Sequence, residues 1–320
     1  MKNILTSQFN TYRQWPTSFL IVFACVMVEI FFLAGSLVFE FVISIFYLIT
    51  QLITQLFGGL LPQWHFEDIV FSLHFELLSF AFVAILLFAW VKWMEKRPLV
   101  TLGFYRDKWL KEIFLGFGVG ALQFTLSLLL ICLLGGSRFK SADFSFETIL
   151  FVLSLVPFWL IQGGTEELLT RGWLLQIINS RLATPIAISI SSLVFGLMHL
   201  GNEHVTFLSI LDIILSGIVM ALYMIYRDNI WGVIGLHGAW NFVQGNIYGI
   251  EVSGGDSGKS ILKFINNPQT PDWLSGGSFG TEGSLITCLV EILFILGLIY
   301  LLKLQTKQEV TAKMGSDFDN

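Results

Sequence analysis

The sequence predicts an all-α fold, a polytopic transmembrane helical bundle of about eight helices, and three observations predict it. Hydrophobic residues make up 55% of the 320 residues and charged residues only 13%, about half the charge of a soluble domain. Mean hydropathy is +0.75, and several runs of about eighteen or more mostly apolar residues are long enough, at ~1.5 Å per residue, to cross a hydrocarbon core of roughly 30 Å. Lys and Arg also fall unevenly on alternate sides of these runs. Only Arg138, Lys140, Lys259 and Lys263 of the 18 basic residues take one side, which places both termini in the cytoplasm of a multi-pass cell-membrane protein.

The expected spans are 17–40, 69–94, 112–135, 148–180, 184–200, 206–226, 231–249 and 284–303. The first follows Lys2 and Arg13, but it is too long for a signal h-region and lacks an A-x-A site, so it reads as a retained span. Residues 41–57 are apolar too and either extend the first helix or form a re-entrant piece. Gly58-Gly59, Pro62 and His65 to Asp68 mark a loop before the second span. The fourth helix is long enough to project beyond the bilayer. The longest outer loop, about 250–283, is rich in Gly, Ser and Asp and is expected to be a flexible, solvated connector.

The net charge of −5 carries no basic stripe, which argues against a nucleic-acid partner. Cys25, Cys132 and Cys288 lie in apolar segments without paired spacing, so they read as small buried hydrophobes rather than a disulfide framework or thiolate site. Membrane lipid is the implied surrounding. No internal repeat, low-complexity tract or separate soluble domain is evident.

Ionisable side chains are costly at bilayer depth and usually face a protein interior or a wet cavity, so their positions carry the functional signal. They are Glu29, His74, Glu76, Glu166, Glu167, Arg171, His199, Asp212, His237 and Glu291. Glu29, His74, Glu76, Asp212 and Glu291 occur singly or as near neighbours and are expected to hydrogen-bond between helices. The other five fall in three compact groups.

Glu167 and Arg171 are four apart, so on a helix they share a face and can pair. Glu166 points about 100° away and is free to face a cavity. The plainer reading is a carboxylate pair capping a helix at a kink. His199 follows Phe195 by four, and a lone helical His is often a satisfied core residue. With a turn near Leu182 to Ala183, however, Glu167 and His199 each lie sixteen residues from it, which sets both roughly 24 Å from the turn by helical rise. His237 and Asn241 share a face of a helix studded with Gly232, Gly235, Gly238 and Gly245, whose small side chains permit close helix approach. His237 lies only about 9 Å past the expected start of its helix, so it meets the other groups only if the fourth and fifth helices extend beyond the bilayer.

Glu166-Glu167-x-x-x-Arg171, Phe195-x-x-x-His199 and His237-x-x-x-Asn241, in this order on successive apolar helices, resemble the CPBP family of type II CAAX prenyl endopeptidases and bacteriocin-processing or abortive-infection-like proteins. The resemblance divides the chain into N-terminal transmembrane helices (1–147), a catalytic helical core (148–250) and an outer loop, last helix and tail (251–320). It implies an intramembrane endopeptidase acting on a membrane-associated or lipidated peptide or protein. In that scheme Glu166 is the general base, His199 helps bind the water, Glu167 and Arg171 organise the site, and His237 with Asn241 stabilises the oxyanion. It also allows a catalytic zinc or another divalent metal on Glu166, His199 and His237, although no H-E-x-x-H occurs. A non-proteolytic immunity or regulatory protein that binds a peptide or membrane partner is the alternative, and a transporter with a carboxylate proton relay is a third.

Overall fold

The computed structural model describes residues 3–5, 12–57, 72–105 and 107–318, with side chains to 311. The loop expected over 58–71, together with Lys2, Arg106 and the Lys313 side chain, lies outside the described residues. The helices are α1 (Thr17–Phe57), α2 (Leu73–Met94), α3 (Trp109–Leu133), α4 (Phe146–Asn179), α5 (Thr184–Leu197), α6 (Phe207–Arg227), α7 (Trp231–Phe242) and α8 (Leu285–Phe318). Among the described residues, six of these are long and apolar enough to cross a membrane, and α5 is a shorter apolar helix. The chain is a multi-pass membrane protein.

The 41–57 stretch continues α1 without a break. Its long, unbroken apolar run contains no helix breaker, and α1 turns Phe19, Leu33, Leu37, Phe41, Leu48 and Leu56 outward, as a lipid-facing surface requires. Local sequence sets the starts of the following helices. The Ser145 side chain accepts the Thr148 N–H ahead of α4, Pro185 opens α5, and Thr206 with Ser209 forms a reciprocal cap on α6.

Among the described residues, three π-helical turns interrupt the regular ladder, at Trp90–Met94 in α2, Leu168–Leu175 in α4 and Val243–Ile247 after α7. Such widened turns often stand beside functional positions. Here one begins directly after Glu167.

At the centre lies α7, buried from Gly232 to Phe242 and packed between α3 and α4, while α6 packs on α5 and α8. Glycines set the α3–α7 distance. A Cβ on Gly116 would stand 1.8 Å from the Gly232 carbonyl oxygen, and one on Gly120 2.1 Å from that of Leu236. Only bare backbone fits there.

One end of the bundle gathers the N-terminus, the α4–α5 turn and the α6–α7 turn. Arg181 donates to the Tyr12 carbonyl at 2.6 Å, the Ile4 N–H donates to Asp228 at 3.0 Å, and Arg227 pairs with Glu112 at 2.7 Å. The opposite end carries the antiparallel ribbon of β1 (Ser137–Ala142) and β2 (Leu262–Asn266), with a register irregularity between Phe139 and Ser141.

The segment expected to be a solvated connector is instead a folded cap. Asn246 donates to the Ser257 and Lys259 carbonyls at 2.8 and 3.0 Å while accepting from Trp159 Nε1 at 2.6 Å. Phe279 is fully buried. Polar side chains from the bundle satisfy the loop backbone, so the Gly- and Ser-rich segment is held in place.

Candidate active site

Gly163 and Gly164 explain how α4 and α7 come close enough to build a polar centre. A Cβ on Gly163 would reach 3.0 Å from the His237 ring, and one on Gly164 3.1 Å from the Ile234 side chain. Their absence lets α7 lay His237 against the two glutamates that follow on α4.

Glu167 is fully buried and accepts from Arg171 at 3.0 Å, as the four-residue spacing predicts. The same oxygen lies 2.9 Å from His237 Nδ1. Arg171 also donates to Thr170 Oγ1 at 2.6 Å, and its guanidinium lies over the Phe195 ring at 4.3 Å. Glu167 is therefore a buried hub between a cation and an imidazole.

Glu166 turns the other way and lines a cavity of about 690 Å³. Only 5% of the residue is exposed. Its Oε2 has no hydrogen-bond partner and lies 3.5 Å from His237 Nε2. The imidazole of His237 thus stands between the two carboxylates, hydrogen-bonded to Glu167 and within ion-pair distance of Glu166.

His199 and Asn241 line the same cavity. His199 Nδ1 sits 2.8 Å from the Phe195 carbonyl oxygen of its own helix, and the Phe195 ring meets both His199 and His237 edge-on at 4.9 and 5.9 Å between centroids. His199 therefore faces the cavity across Phe195 from the glutamates. Asn241 donates one amide hydrogen to Gln162 Oε1 at 2.8 Å, leaving a second. So the structure gathers Glu166, Glu167, Arg171 and His237 into one contact network, with His199 and Asn241 on the wall of the shared cavity.

Glu166, His199 and His237 are not gathered on one point as a zinc would need: His237 Nε2 faces Glu166 at 3.5 Å, while His199 stands across the Phe195 ring. Among the described residues, no three His, Cys, Asp or Glu side chains stand close enough to share an ion.

Gln162 and Glu282 were not singled out from the sequence, and Phe195 was named there only as the first residue of its motif with His199, without a role. Gln162 anchors Asn241 and lies four residues before Glu166, so helical spacing alone puts it on the same face. Phe195 is the packing surface between Arg171 and both histidines. Glu282 reaches the cavity from the cap, where it accepts from the Ser253 N–H at 2.7 Å and from Gln244 at 3.3 Å. Burial holds the Glu282 carboxyl above its ordinary range, against the opposing pull of these donors and of His199.

Of the five ionisable residues expected to hydrogen-bond between helices, His74 does so with Ser154 at 2.7 Å and Glu291 with Gln123 and Ser216 at 2.8 and 3.0 Å. Asp212 is fully buried, but neither of its carboxylate oxygens has a nitrogen or oxygen donor. Glu29 and Glu76 depart from the expectation, since both line the cavity with exposed side chains.

Residues 148–243 match the family model described as Type II CAAX prenyl endopeptidase Rce1-like. No curated protein and no solved structure matches the chain.

Proposed function

We propose, from the premise that residues 148–243 are an Rce1-like domain of the CPBP family, that this membrane protein is an intramembrane endopeptidase with Glu166 as its general base. One observation carries the reading: a glutamate 5% exposed, with an unpartnered oxygen, faces a cavity between helices. A base must reach the proton that it removes, and a developing oxyanion needs donors fixed in a dry site.

Glu166 takes a proton from water as the water oxygen attacks the peptide carbonyl carbon. His199, on the cavity wall, helps hold that water. The second amide hydrogen of Asn241 faces the oxyanion that forms, and His237, held by Glu167 through Nδ1, turns to it an Nε2 that makes no hydrogen bond to Glu166. As the intermediate collapses, the C–N bond breaks and Glu166 returns its proton to the leaving amine. Glu167, Arg171 and Gln162 position these groups. The substrate is a peptide or protein in or at the membrane.

The reading includes sidedness. Arg13, Arg181 and Arg227 sit at the end of the bundle that holds the N-terminus, which the basic-residue bias assigns to the cytoplasm of the cell membrane. The cavity is lined by the 199–203 turn and by 252–257 of the cap, at the opposite end. It therefore opens away from the cytoplasm.

The test is cleavage by the purified protein in lipid nanodiscs, together with membrane proteomics of cells. Glu166→Gln should lower turnover by on the order of 100- to 10,000-fold while leaving the melting profile intact. Unchanged proteolysis in that variant removes the mechanism, and full cellular function without proteolysis supports the non-catalytic alternative.

A further inference from the structure

The cavity is lined by six carboxylates, Glu29, Glu76, Glu166, Glu203, Asp256 and Glu282, and by no Lys or Arg among the described residues. Glu203 and Asp256 are exposed at the mouth, Glu29 and Glu76 are exposed beside α1 and α2, and Glu282 and Glu166 are buried deeper.

Like charges around a space with low-dielectric walls focus a negative potential into it, which favours cations over neutral and anionic groups. Glu166 lines this space, and its buried Oε2, 3.5 Å from His237 Nε2, has no hydrogen-bond donor, so a ligand can supply one. Because no three acidic or imidazole groups converge on one point, the potential is spread along the cavity. It matches a cation carried on a chain better than a single bound ion. Trp159 and Trp240 also line the cavity, and aromatic faces receive ammonium and guanidinium groups favourably.

Resting on the endopeptidase reading, we infer that the substrate is a cationic peptide segment, with Lys or Arg close to the scissile bond, which enters past Glu203 and Asp256. The mouth acids act on capture. They touch no reacting atom, so their effect falls on KM rather than on kcat.

The experiment uses the full-length protein in nanodiscs and fluorogenic peptides of identical length and apolar content, differing only in Lys, Gln or Glu beside the cleaved bond. Lys peptides should show a kcat/KM on the order of 10-fold or more above Gln peptides, with Glu peptides poorest, and the preference should shrink in high salt. In the Glu203→Gln/Asp256→Gln double variant, KM for the Lys peptide should rise towards that of the Gln peptide, with kcat and Gln-peptide cleavage unchanged. A second arm measures binding of the same labelled peptides to Glu166→Gln by fluorescence anisotropy.

Equal cleavage of Lys and Gln peptides, or a preference unmoved by the double variant, overturns the charge selection and leaves the hydrolase standing. Selective binding of Lys peptides without any cleavage by wild type keeps the charge selection and removes the hydrolase. Equal binding without cleavage removes both.

Discussion

Removing the Arg171 guanidinium leaves Glu167 fully buried with only His237 beside it, and an uncompensated buried carboxylate is expensive. Arg171→Met should therefore cost about 3–5 kcal/mol, read as a lower melting temperature, and should disturb His237 through the shared Glu167 oxygen. Arg171→Lys keeps the charge but not the planar contact with Phe195, so an intermediate loss is expected. This pair was legible from spacing, since Glu167 and Arg171 are four apart in an apolar run. The place of His237 between the two glutamates was not, because helical periodicity gives the face of a residue but not the rotation of its neighbour. Gln162 was passed over as an uncharged amide, although its spacing from Glu166 was visible. Glu282 had no signal, since nothing local separates a buried loop carboxylate from a solvated one.

At the scale of elements, α3 and α7 touch through backbone at Gly116, Gly120 and Gly235, where an added Cβ meets a carbonyl oxygen at 1.8 to 2.1 Å. Backbone cannot give way as a flexible side chain can. Gly120→Val should displace α7, costing about 3 kcal/mol, and should carry His237 away from Glu167. Reduced yield of folded protein and lost cleavage are the expected results, whereas Gly118→Ala, which meets nothing within 4 Å, should be neutral. The glycines of α7 were read from the sequence as permitting close approach, and the partner helix was not. Helices stand at all eight expected places, six of them long and apolar enough to cross a membrane, because uninterrupted apolar runs have few other solutions. The widened turns were not legible, since an extra residue in a turn leaves the apolar run unbroken.

Over the whole molecule, the cap links the cavity mouth to the bundle through Glu282. Burial raises its carboxyl, so the folded protein holds this proton to higher pH than the unfolded chain does. Stability from this group therefore falls as pH rises from the ordinary carboxylate range through the raised value. Glu282→Gln should flatten that slope in melting curves taken across pH in detergent, and a slope unchanged by the substitution would assign it to other groups. The cap itself escaped the sequence reading because Gly, Ser and Asp mark loops of every kind, and its order comes from Asn246, Gln244 and Glu282, which act across long sequence separations.

The widened turn after Glu167 divides α4 into two working lengths. Upstream, Gln162, Glu166 and Glu167 address α7 and the cavity, and downstream Trp173 meets Phe31 edge-on and donates to Glu95 at 2.6 Å. Each half keeps its own bearing because one turn holds surplus backbone. Side chains here can be exchanged in place, but a single codon lost from this stretch would swing the lower half by about 100° and uncouple the two surfaces without touching either.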